Sequence, residues 1–189
     1  MANSFETEIA KSYRSQALTS PVQGLCCPNE YIKLVVNKQA SYGVKTQCDA
    51  LVDRLNDVGL ALELKEQQNR EAFKFSRVPD HQIEGLQRFK ALGRNSYLLL
   101  CFRHWVLPAK DLLGLKPIEK RQAQRRRAYC LDIDLFLTLK SQALSETKAS
   151  IPIEWITTQA IRIPDSKCEY FTSSGNKAVA MCWDISVIK

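Results

Sequence analysis

The chain has 189 residues, 45% of them hydrophobic, with a formal net charge of +7 and an isoelectric point near 9.1. That suits one domain with a sizeable core and room for an appendage, and the basic balance favours a polyanionic partner. No apolar run reaches about 18 residues and no charged-then-apolar leader opens the chain, which argues against a membrane span or a secretory signal. Seven cysteines without C-x-x-C spacing point to a reducing compartment such as the cytoplasm rather than to a disulfide framework or a zinc site.

In chain order, Asn3 or Ser4 can cap a first helix from about Phe5 to Leu18, with Phe5, Ile9 and Tyr13 on one face. Ser20 to Asn29 reads as a loop, Tyr31 to Val36 as a strand, and Lys38 to Lys45 as a polar loop. Cys48-Asp49-Ala50-Leu51-Val52 is an apolar strand carrying one carboxylate. Asp53 to Gly59 is a polar turn, made by Asp53 and Asp57, and Leu60 to Lys65 is a second apolar strand. After a polar, basic stretch from Glu66 to Val78, Asp80 suits a helix N-cap. Ile83, Leu86, Phe89 and Leu92 give the helix one apolar face, and Gly93 is its stop. Ser96 to Phe102 reads as a fully buried strand. A short helix is expected after Pro108. Ile118 to Ser145 reads as mostly helical, and Ile151 to Lys189 as two or three strands with turns at Pro164-Asp165 and Ser174-Gly175-Asn176. The last of these, Val179 to Val187, is either an added edge strand or a small subdomain. The expected division is a core over 1–114 and a helical and β extension over 115–189, packed on the same domain. Cys48 and Cys101, in apolar strands, are core fillers.

The chemistry centres on Asp49, Glu63 and Lys65. A strand has period two, so Glu63 and Lys65 project from one face while Leu62 and Leu64 pack on the other. An adjacent strand then brings Asp49 beside Glu63, with an ammonium next to both. Two carboxylates hold a hard divalent cation such as Mg²⁺, with Mn²⁺ as a substitute, and a lysine can position the attacking water. By itself an E-x-K more often marks an exposed strand edge or an ion pair. A carboxylate in an apolar strand needs a partner or a metal, which favours the site. Glu66 is the nearest rival carboxylate, but period two turns it away from Glu63. No serine or cysteine nucleophile constellation and no phosphate-binding glycine loop occurs, so a nucleotide-driven motor or a dinucleotide enzyme is disfavoured.

The order strand, strand with E-x-K, helix, buried strand resembles the core of the PD-(D/E)xK nucleases, the restriction-endonuclease-like fold: an α/β architecture with a mixed central sheet flanked by helices. The string Glu63/Lys65, Phe73-Lys74-Phe75, His81-Gln82-Ile83-Glu84 and Phe102, with a weaker match at Ser150-Ile151-Pro152, resembles the RecU family of Holliday junction resolvases. The core and a glutamate-bearing first helix are also similar to archaeal-type Hjc resolvases. This resemblance, over about residues 4–114, implies a metal-dependent endodeoxyribonuclease that leaves a 5′-phosphate and acts as a homodimer in DNA recombination and repair. It implies Asp49, Glu63 and the Leu64 carbonyl as metal ligands, Lys65 as the residue orienting the water, and Gln82 as an active-site side chain. Glu6 and Glu8 compete as the helix glutamate, and the Phe5-Glu6 step favours Glu6. His81 fits packing or DNA contact better than metal ligation, because a hard cation prefers oxygen.

DNA contacts are expected from Lys74 and His81, and from Lys116, Lys120, Arg121, Arg125, Arg126 and Arg127. The last six lie within twelve residues, offset only by Glu119, and Pro117 suits the first turn of a helix that would carry most of them. Phe73 and Phe75 are core anchors or, less in keeping with their loop, stacking contacts. Two other functions fit the same residues. One is a homing or restriction endonuclease reading a linear duplex, with base readout from the basic helix and C-terminal strands. The other is a DNA-binding protein that kept the fold without catalysis.

Overall fold

The structure is a computed structural model that describes residues 5–6, 8–9, 30–34, 48–54, 58–104, 113–123, 126–171, 177–184 and 187–188. At its centre is a six-stranded mixed sheet. In chain order its strands are β1 (Glu30–Leu34), β2 (Ala50–Arg54), β3 (Leu60–Asn69), β5 (Asn95–His104), β6 (Arg127–Asp132) and β8 (Ile161–Ile163), and they lie side by side in that order. Two residues at Phe73–Lys74 form β4, which pairs with β7 (Ser150–Ile151). A separate antiparallel ribbon joins β9 (Asp165–Phe171) to β10 (Lys177–Trp183).

β3 and β5 are parallel, and every other neighbouring pair in the large sheet is antiparallel. A parallel pair needs a crossover, which helix α1 (Asp80–Ala91) supplies. Pro79 rather than Asp80 is its N-cap, and Asp80 stands in the first turn, where its charge complements the helix dipole. The chain leaves α1 through Gly93 at φ 85°, a left-handed turn that glycine adopts without a side-chain clash.

Both faces of the sheet are covered, which explains why Leu98 to Phe102 is an unbroken apolar run. On one face Ala61, Leu98, Leu100, Phe102, Tyr129 and Leu131 pack against Ile83 and Leu86 of α1 and against Ile133, Phe136 and Leu139 of helix α3 (Ile133–Ser145). On the other, Leu60, Leu62, Leu64, Leu99, Cys101 and Cys130 pack against Phe5, Ile9 and Trp183. Phe5, Glu6, Glu8 and Ile9 are helical, as expected for the first helix; the rest of its expected span lies outside the described residues.

Three further expectations are corrected. The stretch from Ile118 to Ser145 is not one helix. Helix α2 (Pro117–Ala123) ends early, and β6 fills the sheet position next to β5 before α3 begins. Ala128 to Leu131 are buried on both sides of the sheet, and that packing overrides local helix propensity. Strands from both sides of residue 114 therefore share one sheet. Ile153–Gln159, expected as strand, is a short helix, α4, started by Pro152. Asp53 belongs to β2 opposite Tyr31 rather than to the turn. The short helix after Pro108, Asp57 and the Ser174-Gly175-Asn176 turn lie outside the described residues.

The start of α3 carries its own signal. The Asp132 side chain accepts from the Asp134 N–H at 2.8 Å and binds Lys90 at 2.7 Å, with Asp134 sharing that ammonium at 2.6 Å. Asp132→Ala is expected to cost about 1–2 kcal/mol, mostly from the lost cap because the ion pair is partly exposed. A urea titration of the two proteins measures it.

Candidate active site

The site is built at the start of β2, where β3 continues beyond it. β2 pairs with β3 only over Leu60–Leu62. The last rung is the Asp49 N–H donating to the Leu62 carbonyl at 3.0 Å. Beyond it the Asp49 carboxylate takes the place of a strand and accepts from the Leu64 N–H through Oδ2 at 2.8 Å. In a strand the N–H and C=O of one residue point to the same side, so the Leu64 carbonyl faces this same edge.

Period two places Glu63 and Lys65 together on the α1 face, as expected. Lys65 Nζ donates to Glu63 Oε1 at 2.5 Å and to Gln82 Oε1 at 2.9 Å, so the first turn of α1 closes the constellation. Glu63 is completely buried, and its Oε2 accepts no hydrogen bond from an N–H or hydroxyl among the described residues. Burial pushes the Glu63 carboxyl up to about 8, the neighbouring Asp49 charge adds to the rise, and Lys65 opposes it. A carboxyl so placed holds its proton at neutral pH unless a cation arrives.

The donors present fit a hard divalent cation. They are all oxygens: two adjacent carboxylates, one with a buried atom that accepts no such hydrogen bond, and a carbonyl on the same edge. No group of three His, Cys, Asp or Glu side chains able to hold a metal occurs among the described residues. A Mg²⁺ site accommodates that, since this ion is commonly held by one or two carboxylates with water and substrate phosphate completing its shell.

An open cavity of about 740 Å³ lies over this edge, lined by Glu6, Asp49, Leu64, Lys65, Glu66, Gln68, Arg77 and Arg103. Glu6 thus reaches the cavity without completing a three-carboxylate cluster. Its competitor Glu8 is engaged elsewhere: it ion-pairs with Arg126 and accepts from the Trp183 indole N–H at 3.0 Å. Glu66 does turn away from Glu63, and it accepts from the Phe5 N–H at 3.2 Å while pairing with Arg103. It therefore moors the start of the glutamate-bearing helix beside the cavity.

No family model matches the chain, and no curated protein sequence matches it. Among solved structures it is similar to Archaeoglobus fulgidus Hjc, a Holliday junction resolvase from an archaeal hyperthermophile. The likeness has 13% identity and a TM-score of 0.32, and covers 71% of this chain and 90% of that one.

The remaining residues singled out in the sequence are scattered. Phe73 is fully buried and Phe75 packs on the same core, with Lys140 Nζ 5.9 Å from its ring, so both are anchors for the loop. Phe73 pairs with Ile151, which brings the Phe-Lys-Phe and Ser-Ile-Pro segments together. Lys74 is exposed and His81 half-buried. The basic run is not one helical surface, a correction that follows from β6. Lys120 and Arg121 are in α2, exposed Lys116 precedes it, and Arg127 begins β6. The Arg126 charge is met by Glu8, with its guanidinium 5.0 Å from the Trp183 ring. Arg125 lies outside the described residues. Cys48 and Cys101 are buried and burial pushes both thiols up to about 12, so neither is a nucleophile at neutral pH.

Sequence reasoning missed Arg77, Arg103 and Gln68. Gln68 was legible in principle, since it follows Leu64 and Glu66 at period two on a strand longer than its apolar run. The two arginines reach the cavity from other elements and left no local signal.

Proposed function

We propose that the protein is a metal-dependent endonuclease hydrolysing DNA phosphodiester bonds, with a four-way Holliday junction as its substrate. The observation that carries the reading is the Lys65 ammonium held between Glu63 and Gln82, beside Asp49, with one buried Glu63 oxygen that accepts no hydrogen bond from an N–H or hydroxyl among the described residues.

Asp49, Glu63 and the Leu64 carbonyl would hold Mg²⁺, or Mn²⁺ in its place, with Glu6 facing the same cavity. When bound, the cation supplies Lewis-acid polarisation of the phosphoryl group and makes water a stronger nucleophile at neutral pH. An ammonium has three donors, and among the described residues Glu63 and Gln82 occupy two of those of Lys65, so the third can orient the attacking water. Because the Gln82 Oε1 must face Lys65, its amide NH₂ turns outward, where it can meet a non-bridging phosphate oxygen. Attack displaces the 3′ oxygen and leaves a 5′-phosphate. Charge that develops on the phosphoryl oxygens is met by donors fixed in advance on β3 and α1. Paired cuts across a junction require two such sites related by a two-fold axis, hence a homodimer.

A sequence-specific endonuclease acting on linear duplex is the second reading. The two-stranded ribbon β9–β10 favours it, since such a ribbon fits the major groove, where bases are distinguishable. A competition assay decides. The labelled junction should stay bound against excess unlabelled duplex of random sequence, and in Mg²⁺ it should receive paired, religatable nicks. Random duplex competing on equal terms defeats the junction reading, and success of one particular duplex sequence establishes the other.

A further inference from the structure

Arg77 was not among the residues expected to touch DNA, and its position gives it a role. Backbone groups of Leu62, Leu64 and Glu66 face the same open edge of β3, and each has a partner. The Leu62 carbonyl accepts from the Asp49 N–H, the Leu64 N–H donates to the Asp49 carboxylate, and the Glu66 carbonyl accepts from Arg77 Nη2. Arg77 therefore continues the line that Asp49 begins, one strand repeat (about 6.6 Å) beyond Leu64.

The arginine is held from behind. It ends a 3-10 turn, Phe75–Arg77, fixed by the Phe75 N–H on the Ala149 carbonyl at 3.3 Å and the Val78 N–H on the Phe75 carbonyl at 3.0 Å. Phe73 and Val78, one on each side of the turn, are buried in the core. The guanidinium thus starts from a fixed base while remaining exposed at the cavity mouth.

Charge decides what it meets. Three cations line the cavity. Lys65 is engaged by Glu63 and Gln82, and Arg103 is paired with Glu66. Arg77 binds a neutral carbonyl through one nitrogen, and no carboxylate among the described residues pairs with it. A phosphodiester entering a cavity that also contains Glu6 and Asp49 is repelled by both. A guanidinium with its remaining fork of donors free of carboxylates offsets that repulsion and matches two phosphate oxygens.

We infer that Arg77 is the phosphate clamp of this cavity, gripping the DNA backbone beside the bond that Asp49, Glu63 and Lys65 address. The inference rests on the nuclease reading for the bond that is cut, but the phosphate contact itself is measurable without cleavage. Arg77→Gln keeps an N–H for the Glu66 carbonyl and removes the charge, whereas Arg77→Lys keeps the charge. Binding of a labelled four-way junction is measured in Ca²⁺ over a KCl series, with thermal melts confirming that both variants fold. Arg77→Gln should bind roughly ten-fold more weakly, and its log–log salt slope should be smaller in magnitude by about 0.9, the loss of one phosphate contact, while Arg77→Lys keeps the wild-type slope. A wild-type slope in Arg77→Gln overturns the clamp, as does a wild-type protein that does not bind DNA. Cleavage in Mg²⁺ is scored separately. A protein that binds with the expected slopes yet cuts nothing leaves the clamp standing and removes the nuclease reading.

Discussion

Replacing Asp49, Glu63 or Lys65 by alanine is expected to reduce Mg²⁺-dependent DNA cleavage by a factor on the order of 10³ in each case. The three act as one unit. Asp49 fixes the edge of β3 through the Leu64 N–H, Glu63 presents the buried oxygen, and Lys65 ties Glu63 to α1 through Gln82. Because they share a task, the double variant Asp49→Ala/Glu63→Ala should lose little more than either single one. Binding without metal is expected to survive in all three, and to tighten in Asp49→Ala, because a carboxylate lining the cavity where the phosphates enter has been removed. Gln82→Ala, which loosens the lysine and removes the amide proposed to meet the phosphate, should lose about 10–100-fold. Single-turnover cleavage of a labelled junction measures all of these. A Glu63→Ala protein cutting at the wild-type rate sinks the site.

The second large effect is on stability and needs no substrate. In the metal-free protein burial pushes the Glu63 carboxyl up to about 8, against an ordinary glutamate value of 4.5. Between those values the folded protein holds a proton that the unfolded chain has released. Stability therefore falls as pH rises across this window, and the penalty is complete above it. At about 1.4 kcal/mol per pH unit the full span is on the order of 5 kcal/mol, an upper bound because water and relaxation reduce it. Glu63→Gln removes the titration while still accepting from Lys65. It should melt higher than wild type at pH 9 in EDTA and no higher at pH 4. Mg²⁺ should raise the wild-type melting temperature at alkaline pH and leave the variant nearly unmoved. Parallel melting curves in pH with and without the metal test this, and identical pH profiles for the two proteins would refute it.

How far the sequence revealed this arrangement follows from how local each cause is. The alternation around Glu63 and Lys65 is a property of six residues, and it placed both side chains correctly on one face. Asp49 was legible because a lone carboxylate in an apolar strand demands a reason. The α1 face was legible from Ile83 and Leu86, and so was the strand Leu98 to Phe102. β6 was hidden because Ala128 to Leu131 carries no alternation when both faces of a sheet are buried, and because it adjoins the strong helical pattern of α3. Asp132, the cap that separates them, was the overlooked clue. Arg77 and Arg103 enter the cavity from segments distant in sequence, so only the folded chain juxtaposes them. Glu6 and Glu8 were told apart by a partner, Trp183, more than 170 residues away.

That tryptophan gives the molecule an optical handle. Its indole is fully buried, edge-on to Phe5 with ring centroids 5.9 Å apart, beneath Arg126 and hydrogen-bonded to Glu8. Phe5 and Glu8 leave it if the first helix lifts from the sheet, and Arg126 loses its ion-pair partner, so its emission should shift to the red and lose intensity when that happens. Trp155, half-buried under Lys148 on the opposite face, senses a different event. Difference spectra against Trp183→Phe therefore isolate the docking of the segment that carries Glu6 from the melting of the sheet, without adding a label.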